Sequence, residues 1–510
     1  MKKFYLVFII LISFLNSNAQ GVKEALQYSI IDMNGTARFR ALSGAFGALG
    51  GDLSAISINP ASSVVFANNQ FAFTLNNRYN GIRTQYFETN TNTNTGNLTF
   101  NQIGGVFVFE NNNKYSDWNK FALALNYDDQ ANFKNTVAVL GENPINSIDK
   151  YFLNHARGMR FSDIAGLNYD QMGFTQNQVA LGYRSQLLDY DTVNNVFYAN
   201  VSHASDGKKY TQQSYITNTG YNGKLAFNFS TEYDKKWMLG LNLNAHFSDY
   251  TQQKTFTEKN DKAYYSKGAT INEVLFYNEL TTKGSGFSFQ VGAIYKPVAG
   301  LRLGLTYESP TWMVLEDQLI QRISTSGVVV KPVGGSTTYS PVVNKVDPRT
   351  TIIFAPYTVV TPSKWSFSGG YVFGKQGFIS FDYSVKDYSS IIFKPINQFN
   401  NPNENNSNNI FSNLFRTSNE FRVGVEKKIK QWSLRGGYRY EESPYKDKSL
   451  MGDLVGFSGG FGYNWGGTKL DFAFSTSKRN YKELIFEGIP DFVSYSRRNN
   501  NATLTLSFEL

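Results

Sequence analysis

Cysteine is absent from this sequence, and histidine is nearly so. Without cysteine the chain cannot form disulfides, thiolate metal sites or thiol nucleophiles, and it cannot carry a lipid on an N-terminal cysteine. The only histidines are His155, His203 and His246, which lie on separate segments without the spacing of metal ligands. We therefore expect no metal, no cofactor and no enzymatic activity. One alternative stays open, a serine–histidine site of the membrane-lipase kind at His246, which shares a strand with Asn242 and Asn244.

Long apolar runs are also missing once the N-terminus has been passed. Residues 1–19 begin with Lys2 and Lys3, continue with an apolar run over residues 4–15, and end in a small residue, Ala19. This order is typical of a secretory signal peptide that is cleaved after Ala19. No later run reaches the length of about 18 apolar residues that a membrane-spanning helix needs. The chain is therefore predicted to be exported and to have no helical membrane span.

Strong charge is a third absence. The formal net charge is +9, and removal of Lys2 and Lys3 with the signal peptide leaves about +7 on a long chain. No basic motif accompanies this mild excess, so nucleic acid is not expected as a partner. The glycines at positions 44, 47, 50 and 51 are not followed by Gly-Lys-Ser/Thr, which excludes a phosphate-binding loop.

Aromatic residues, in contrast, make up 16% of the chain, and apolar side chains alternate with small or polar ones along many short segments. Because successive side chains of a strand point to opposite faces, this alternation is typical of strands with one lipid face and one polar face. The candidate strands are residues 70–79, 98–110, 119–128, 221–233, 235–252, 283–297, 299–311, 362–373, 375–388, 418–429, 431–442, 453–465, 467–479 and 500–510.

The connections between these segments alternate between long and short along the whole chain. The long ones are residues 80–97, 129–220, 253–282, 312–361, 389–417, 443–452 and 480–499. Bacterial barrels place short turns in the periplasm and long loops outside the cell. The sequence therefore predicts an all-β fold, a transmembrane antiparallel β-barrel of about 14 strands in a Gram-negative outer membrane, spanning residues 69–510 with extracellular loops that include 129–220, 253–282 and 312–361.

The long loops differ in character. Residues 90–97 and 400–409 are rich in asparagine, which predicts solvated stretches without regular structure. The connection 129–220 is too long to be featureless, and residues 144–156 and 176–188 are predicted to be short helices within it. Residues 271–280 also have the pattern of an amphipathic helix. Such helices would either collect an apolar ligand at the barrel mouth or simply cover it.

Residues 20–68 precede the first strand and are predicted to form a small helical hatch, or plug, in the barrel lumen. Gly44, Gly47, Gly50 and Gly51 would let its backbone approach other backbone closely, and the segment ends in a turn at Asn59-Pro60-Ala61. The alternative for this segment alone is a linker with one short amphipathic helix.

Charged residues in the lumen-facing phase of the strands are the candidate site residues. They include Arg302, Glu308, Arg422, Arg435 and Arg439, with Glu426, Glu441 and Asp471 nearby in phase. The favoured interpretation is a network of ion pairs that holds the hatch. The alternative is that one arginine, Arg435 or Arg439, binds a ligand carboxylate in bidentate geometry.

Several of these stretches resemble one known family. The glycine-rich segment ending at Asn59-Pro60-Ala61 is followed by residues 292–297 (GAIYKP), residues 303–310 (LGLTYESP), residues 422–426 (RVGVE) and residues 435–440 (RGGYRY). In this order they resemble the outer-membrane long-chain fatty acid and hydrocarbon transport family of the FadL/TodX type. The asparagine-rich loops and the long 129–220 connection depart from that family, so its ligand-contacting residues cannot be transferred to this chain.

The resemblance implies a fourteen-stranded barrel closed by an N-terminal hatch and passive uptake of hydrophobic molecules such as long-chain fatty acids or aromatic hydrocarbons. The implied partners are a hydrophobic small-molecule ligand, outer-membrane lipids and lipopolysaccharide. The alternating last strand, which ends Phe508-Glu509-Leu510, indicates one more partner, the outer-membrane assembly machinery. The alternatives are a general porin for small polar solutes and a surface or adhesion barrel without transport.

Overall fold

The computed structural model describes residues 21–113, 115–333, 336–400 and 407–510, so the predicted signal peptide lies outside the described residues. The strands are β1 Gln70–Tyr86, β2 Thr89–Glu110, β3 Trp118–Asn132, β4 Asn135–Asn143, β5 Leu188–Asp191, β6 Val196–Ala199, β7 Tyr210–Tyr233, β8 Trp237–Asn260, β9 Gly268–Tyr295, β10 Leu301–Glu308, β11 Trp312–Val333, β12 Ser336–Val346, β13 Ile352–Ile353, β14 Tyr357–Val360, β15 Lys364–Val372, β16 Gly377–Asp387, β17 Ile392–Lys394, β18 Thr417–Ile429, β19 Trp432–Glu441, β20 Leu454–Asn464, β21 Thr468–Leu484 and β22 Phe492–Glu509.

Helices account for little of the described chain. They are α1 Val22–Gln27, α2 Ala37–Ala41, α3 Asp149–His155, α4 Phe174–Arg184, α5 Ile396–Phe399 and α6 Ser407–Leu414, with short 3-10 turns that include Ser54–Ser57 and Pro60–Val65. Within the described parts of the chain, none of the helices is long and apolar enough to cross a membrane.

The strands close into one antiparallel barrel of fourteen strands, as predicted. Three barrel strands are each made of two consecutive strands, β3 with β4, β10 with β11 and β16 with β17, and one is made of the four strands β12 to β15. Closure is made by β1 and β22, which pair from Gln70 opposite Glu509 to Gln85 opposite Ser494. All fourteen predicted segments coincide with barrel strands.

Each strand carries an apolar outward face over part of its length. On β1, Phe71 and Leu75 are outward and 37% and 36% exposed, whereas Ala72, Thr74 and Asn76 are buried inside. The hydrocarbon layer of a bilayer contains no water to hydrogen-bond with backbone N–H and C=O groups. In a closed barrel these groups bond to the neighbouring strands instead. Alternation of one residue in two therefore encodes both the lipid face and the lumen face.

Turn length differs between the two ends of the barrel, also as predicted. The short-turn end has the connections 111–117, 234–236, 296–300, 373–376, 430–431 and 465–467, together with the first residue of β1 and the last of β22. The opposite end, called here the long-loop end, carries strands that continue far beyond the apolar band. β9 alone has 28 residues, nearly three times the roughly 10 residues that a tilted membrane strand requires.

Several expectations for the long-loop end were wrong. Residues 271–280 are not a helix but part of β9, where Val274 and Phe276 are buried and Leu275 between them is exposed. Pairing with β8 and β11 on either side imposes the strand. The predicted loops 253–282 and 312–361 are likewise largely strand.

The two asparagine-rich stretches were also predicted to lack regular structure. Residues 90–97 instead form part of β2, paired with β1. In the other stretch, residues 401–406 lie outside the described residues, and α6 begins at Ser407.

The connection 129–220 folds over the long-loop end, and residues 144–209 are called here the cap. The cap contains α3 and α4, close to the two predicted helices, and the β5–β6 hairpin. Its core is aromatic: the ring of Phe152 lies 5.2 Å from that of Phe276 on β9. The cap is thus packed onto the extended strands rather than tethered loosely above them.

His155, at the end of α3, makes the cap sensitive to pH. Burial lowers the pKa of His155 from 6.5 to about 4. Between these values the unfolded cap binds a proton that the folded cap does not, so stability falls as pH drops. We expect the His155 imidazole to contribute a loss of about 2 kcal/mol of cap stability between pH 7.5 and pH 5. Hydrogen exchange of α3 and α4 at both pH values measures this loss.

The control is His155→Phe, which keeps a ring beside Tyr151 and Phe174. Its cap should lose less protection at pH 5 than the parent. Burial raises the pKa of Glu487 to about 7, so protonation of Glu487 stabilises the folded protein as pH drops, opposite to the effect of His155. This contribution is the same in the parent and in His155→Phe, and it cancels when the two are compared. Equal acid sensitivity in both proteins would contradict the assignment to His155.

Candidate functional site

Residues 21–66 run through the barrel interior and make most of their contacts with the inward faces of the strands. Asn59 is the centre of the best-defined contact and is fully buried. Its side-chain amide donates to the carbonyls of Gly47 at 2.7 Å and Ala293 at 3.1 Å, and its oxygen accepts from the Ala61 amide at 3.1 Å. Asn59 thereby caps the following 3-10 turn, which Pro60 begins, and ties the segment to β9.

Glycines in the barrel wall make room for this turn. A Cβ at Gly240 on β8 would lie 2.3 Å from the amide nitrogen of Ala61, and a Cβ at Gly292 on β9 would lie 2.1 Å from Oδ1 of Asn59. The two glycines face each other across the β8–β9 ladder. Only glycine permits such a close approach of backbone to backbone. The glycines of the segment were predicted to make this close approach, whereas no pattern in the sequence marked Gly240 and Gly292 as their counterparts in the wall.

The glycines predicted in the segment have distinct geometries. Gly44, Gly50 and Gly51 have φ values of 77°, 66° and 67°, in the left-handed region that favours glycine. Gly47 instead contacts the wall, because a Cβ there would lie 2.0 Å from Oγ of Ser368. All seven predicted hatch residues therefore lie inside the barrel, at turns or wall contacts.

A second anchor is formed by Asp382 on β16. Its buried carboxylate accepts from the amides of Phe46 and Gly47, each at 3.0 Å through Oδ2. Charge-assisted hydrogen bonds of this kind are among the stronger ones in proteins. Nothing in the sequence pattern marked Asp382, because one carboxylate in a lumen-facing position resembles any other.

Ion pairs also hold the segment to β18, the strand next to β16. Arg38 on α2 lies 3.0 Å from Glu426, which also pairs with Arg435 at 2.7 Å, and Arg435 reaches Asp471 at 2.5 Å. Glu426 is 2% exposed. The network joins α2 to β18, β19 and β21, which is the holding role favoured for these charges from the sequence.

The remaining predicted lumen residues have the following places. Arg302 donates to the carbonyl of Leu49, and Glu308 pairs with Lys364 at 3.1 Å. Arg422 donates to the carbonyl of Gly44 at 3.4 Å and pairs with Glu420 at 2.8 Å. Glu420 also pairs with Arg439, which in turn pairs with Glu441, both at 2.6 Å.

A cavity of about 950 Å³ lies between the inner segment and the cap. Most of its lining is apolar, contributed by residues 22–33, by the upper barrel wall and by the aromatic side chains of the cap, and the wall residues include Ile82, Val137, Ile216, Leu280 and Leu319. One side is polar and basic, with Arg40, Arg78, Arg439, Arg479 and Arg497 beside Asp32 and Glu441. The shape and lining suit an apolar molecule with one polar or anionic end.

Of the two arginines considered for a ligand carboxylate, Arg439 lines this cavity and Arg435 does not. Arg435 is held between Glu426 and Asp471. A smaller polar cavity of about 90 Å³ borders Glu308, Arg422 and Arg439 beside the inner segment. Among the buried arginines that line the cavity, Arg40 has the fewest carboxylate contacts. It was not predicted as a site residue because it lies on the inner segment and not on a strand.

The three histidines do not converge. His155 and His203 lie in the cap, and Nε2 of His203 lies 2.8 Å from Asp149. His246 is inside the barrel with Nε2 2.8 Å from Oγ of Ser288, to which Asn244 also donates. No group of three or more metal-binding side chains occurs among the described residues.

An apolar outer band, a closed ladder and a folded segment filling the lumen define an outer-membrane barrel with an internal plug. The family model of outer membrane protein transport proteins (OMPP1/FadL/TodX) matches residues 191–484, more than half of the chain. The chain belongs to this family, and it is an outer-membrane transport protein.

Solved structures have the same fold. A FadL homologue of Pseudomonas aeruginosa is 12% identical with a TM-score of 0.54, and 94% of this chain covers 99% of that one. The toluene transporter TodX of Pseudomonas putida is 13% identical with a TM-score of 0.50, and 94% of this chain covers 99% of it. None of the curated proteins compared with this sequence matches it.

Proposed function

We propose that this protein admits hydrophobic molecules passively through the outer membrane and that residues 20–68 act as its hatch. The single observation that carries the proposal is the cavity of about 950 Å³ with a mainly apolar lining, directly above a lumen that the inner segment fills. An open porin would need a continuous polar passage, and the inner segment stands in the way of one. Membership of a transport family and the printed description of TodX as a toluene transporter support the hydrophobic solute class.

The proposed route begins at the long-loop end, which we place outside the cell. A solute enters between the cap and the extended strands, loses its hydration shell and binds in the cavity above the hatch. Burial of apolar surface stabilises it there by about 25 cal/mol per Å². Movement of the hatch at Asn59-Pro60-Ala61 then opens the way down. For a fatty acid, Arg439 on the basic side of the cavity would bind the carboxylate.

Other parts of the proposal concern the surroundings of the barrel. The signal peptide is removed after Ala19, and the assembly machinery recognises the last strand, which ends Phe508-Glu509-Leu510. Outer-membrane lipids contact the apolar band, and lipopolysaccharide surrounds the long-loop end. The protein has no catalytic role: Ser288 and His246 serve as a hydrogen-bonded pair in the lumen wall.

Uptake of a labelled long-chain fatty acid and of labelled toluene tests the transport role. Cells that make the parent protein should accumulate one of the two, and planar bilayers containing it should conduct few ions. Replacing Asn59 with Ala removes both hydrogen bonds that tie the hatch to Gly47 and Ala293. We expect this variant to change uptake and raise conductance. Large steady conductance of the parent without uptake would support a porin, and neither signal would support a surface protein.

The cavity itself is tested by Leu280→Gln, which puts an amide into its apolar wall. We expect about tenfold weaker binding of the transported solute, since a buried amide without a partner costs roughly 1–3 kcal/mol. Binding is measured with a fluorescent fatty acid in detergent. The matched control is Leu275→Gln on the same strand, where the side chain is 43% exposed and faces outward. Equal binding by both variants would show that the cavity does not hold the solute.

A further inference from the structure

Four basic side chains stand on the outer surface of the barrel just beyond the apolar band, on the β21–β22–β1 wall. They are Arg83, Lys478, Lys482 and Arg498, and all four are exposed. Their sequence neighbours Ile82, Arg479 and Arg497 line the interior cavity, so the alternation of each strand places Arg83, Lys478 and Arg498 on the outside. Lys482 is exposed and also borders the cavity.

The register fixes how these side chains are grouped. Lys478 is directly opposite Arg498 on the β21–β22 ladder, and Arg498 is opposite Gly81 on β1. Arg83 is therefore a diagonal neighbour of Arg498. Like charges directly opposite one another on a sheet destabilise it unless an anion compensates them. None of the four forms an ion pair with a described carboxylate, and the guanidinium of Arg83 donates only to Oδ1 of Asn90, at 3.1 Å.

On β21, β22, β1 and β2 the outward neighbours of this basic group are neutral, and on the β20 side Asp453 pairs with Lys448 at 3.0 Å. On the same rows of the sheet the neutral neighbours are Asn480, Ser494, Ser496, Gln85, Asn90 and Asn92. The opposite wall is arranged differently. Lys283 of β9 lies four residues from the outward Phe287, toward the long-loop end. It is opposite Asp249 of β8 on one side and Glu316 of β11 on the other. Further along the same wall, Lys259 pairs with Glu273 at 2.7 Å. Charge is balanced within the β8–β9–β11 wall and left unbalanced on the β21–β22–β1 wall.

The height of the basic group identifies the anion. In the row directly below it, Tyr79 at 47% exposure and Phe457 at 59% stand beside Thr476 and Asn500. The apolar band continues further down with Phe474 at 50% and Leu504 at 45%. A molecule that contacts both levels must be apolar below and anionic above. Lipids that carry phosphate on the headgroup have this structure, and their phosphates lie at the edge of the hydrocarbon layer.

We propose that the outer face of β21, β22 and β1 is a binding site for a phosphate-bearing lipid of the outer leaflet, held by Arg83, Lys478 and Arg498. The acyl chains lie against the apolar band beneath, and the phosphates bridge Lys478 and Arg498. Guanidinium groups suit this role because they bind phosphate oxygens in bidentate geometry. The site goes beyond the proposed uptake and uses only the proposed orientation of the long-loop end.

Native mass spectrometry of the full-length protein in detergent tests this site with three probes: lipid A, dephosphorylated lipid A, and inorganic phosphate. Lipid A should bind at least tenfold more tightly than its dephosphorylated form, and inorganic phosphate should not displace it at equal concentration. Equal binding of the two lipids would overturn the proposal. Displacement by phosphate would show a simple anion site and overturn it as well.

The variant Lys478→Gln/Arg498→Gln should bind lipid A about tenfold more weakly, and Lys283→Gln on the charge-balanced wall should bind like the parent. Unchanged binding by the double variant, or an equal loss in both, would refute the assignment. Whether each variant keeps a folded barrel is checked by its resistance to unfolding in SDS without heating. The comparison of the three probes on the parent protein decides the question even if the double variant fails to fold. Neither measurement depends on transport, so failure of the uptake proposal is distinguishable from failure of this one.

Discussion

Replacing Gly240 with valine should turn the closed barrel into an open pore. A side chain at this position meets the backbone of Pro60 and Ala61, with its Cβ 2.3 Å from the nearest atoms. Backbone cannot move aside as a flexible side chain can, so the turn at Asn59-Pro60-Ala61 must leave the wall. Overpacking of this kind costs about 1–3 kcal/mol or more. Steady conductance in planar bilayers should rise about tenfold for each 1.4 kcal/mol lost.

The barrel itself should survive this substitution, because valine is favoured in strands and Gly240 is paired on both sides, with Ser230 of β7 and Gly292 of β9. The matched control is Gly436→Val on β19, where a Cβ would meet nothing within 4 Å. This control should conduct no more than the parent. If Gly240→Val stays closed while its barrel is intact, the inner segment does not seal the pore through this contact.

Removing Glu426 should have the largest effect on stability. The residue is the shared carboxylate between Arg38 of the inner segment and Arg435 of the wall. In Glu426→Met, Arg38 keeps a charge inside the barrel without its partner, which typically costs about 3–5 kcal/mol. Arg435 retains Asp471. We expect the inner segment of this variant to become accessible to protease while the barrel remains folded.

A double-mutant cycle separates the ion pair from packing. Arg38→Met keeps an apolar chain near the rings of Phe46 and Phe378, over which the guanidinium now lies at 5.3 and 5.6 Å. The double variant Arg38→Met/Glu426→Met should be less destabilised than Glu426→Met alone, because Arg38 no longer leaves a charge without its partner inside the barrel. Free energies of unfolding in urea provide the four corners of the cycle. Strictly additive losses would mean that Arg38 and Glu426 do not interact.

The sequence predicted the barrel well because its membrane part obeys one strong rule. Along Trp237, Leu239, Leu241 and Leu243, apolar residues occupy every second position, and all four face outward in β8. Beyond the band this rule weakens, since both faces meet water or the cap. Residues 271–280 then show apolar spacing compatible with a helix, and only pairing with β8 and β11 decides that they form a strand.

The site was predictable only in part. Asn59-Pro60-Ala61 is a local signal, since a turn is written in consecutive residues. Gly240 is about 180 positions away from that turn. A single glycine in a strand indicates only a locally weaker strand, and its role becomes clear only when the structure shows the turn packed against it. The cavity is less predictable still, because its wall is assembled from residues as distant as Ile31 and Asn501.

The pairing of β1 with β22 sets an order of events in assembly. The ladder closes only when the last strand of the chain reaches the first. The inner segment lies against the wall at Gly240 and Gly292, inside the ring that this ladder closes. We expect the sheet to curl around residues 21–66 while it is still open, so that the N-terminal segment acts as a template for the ring. A chain lacking that segment should then pair β1 with β22 more slowly, which the refolding rate measures.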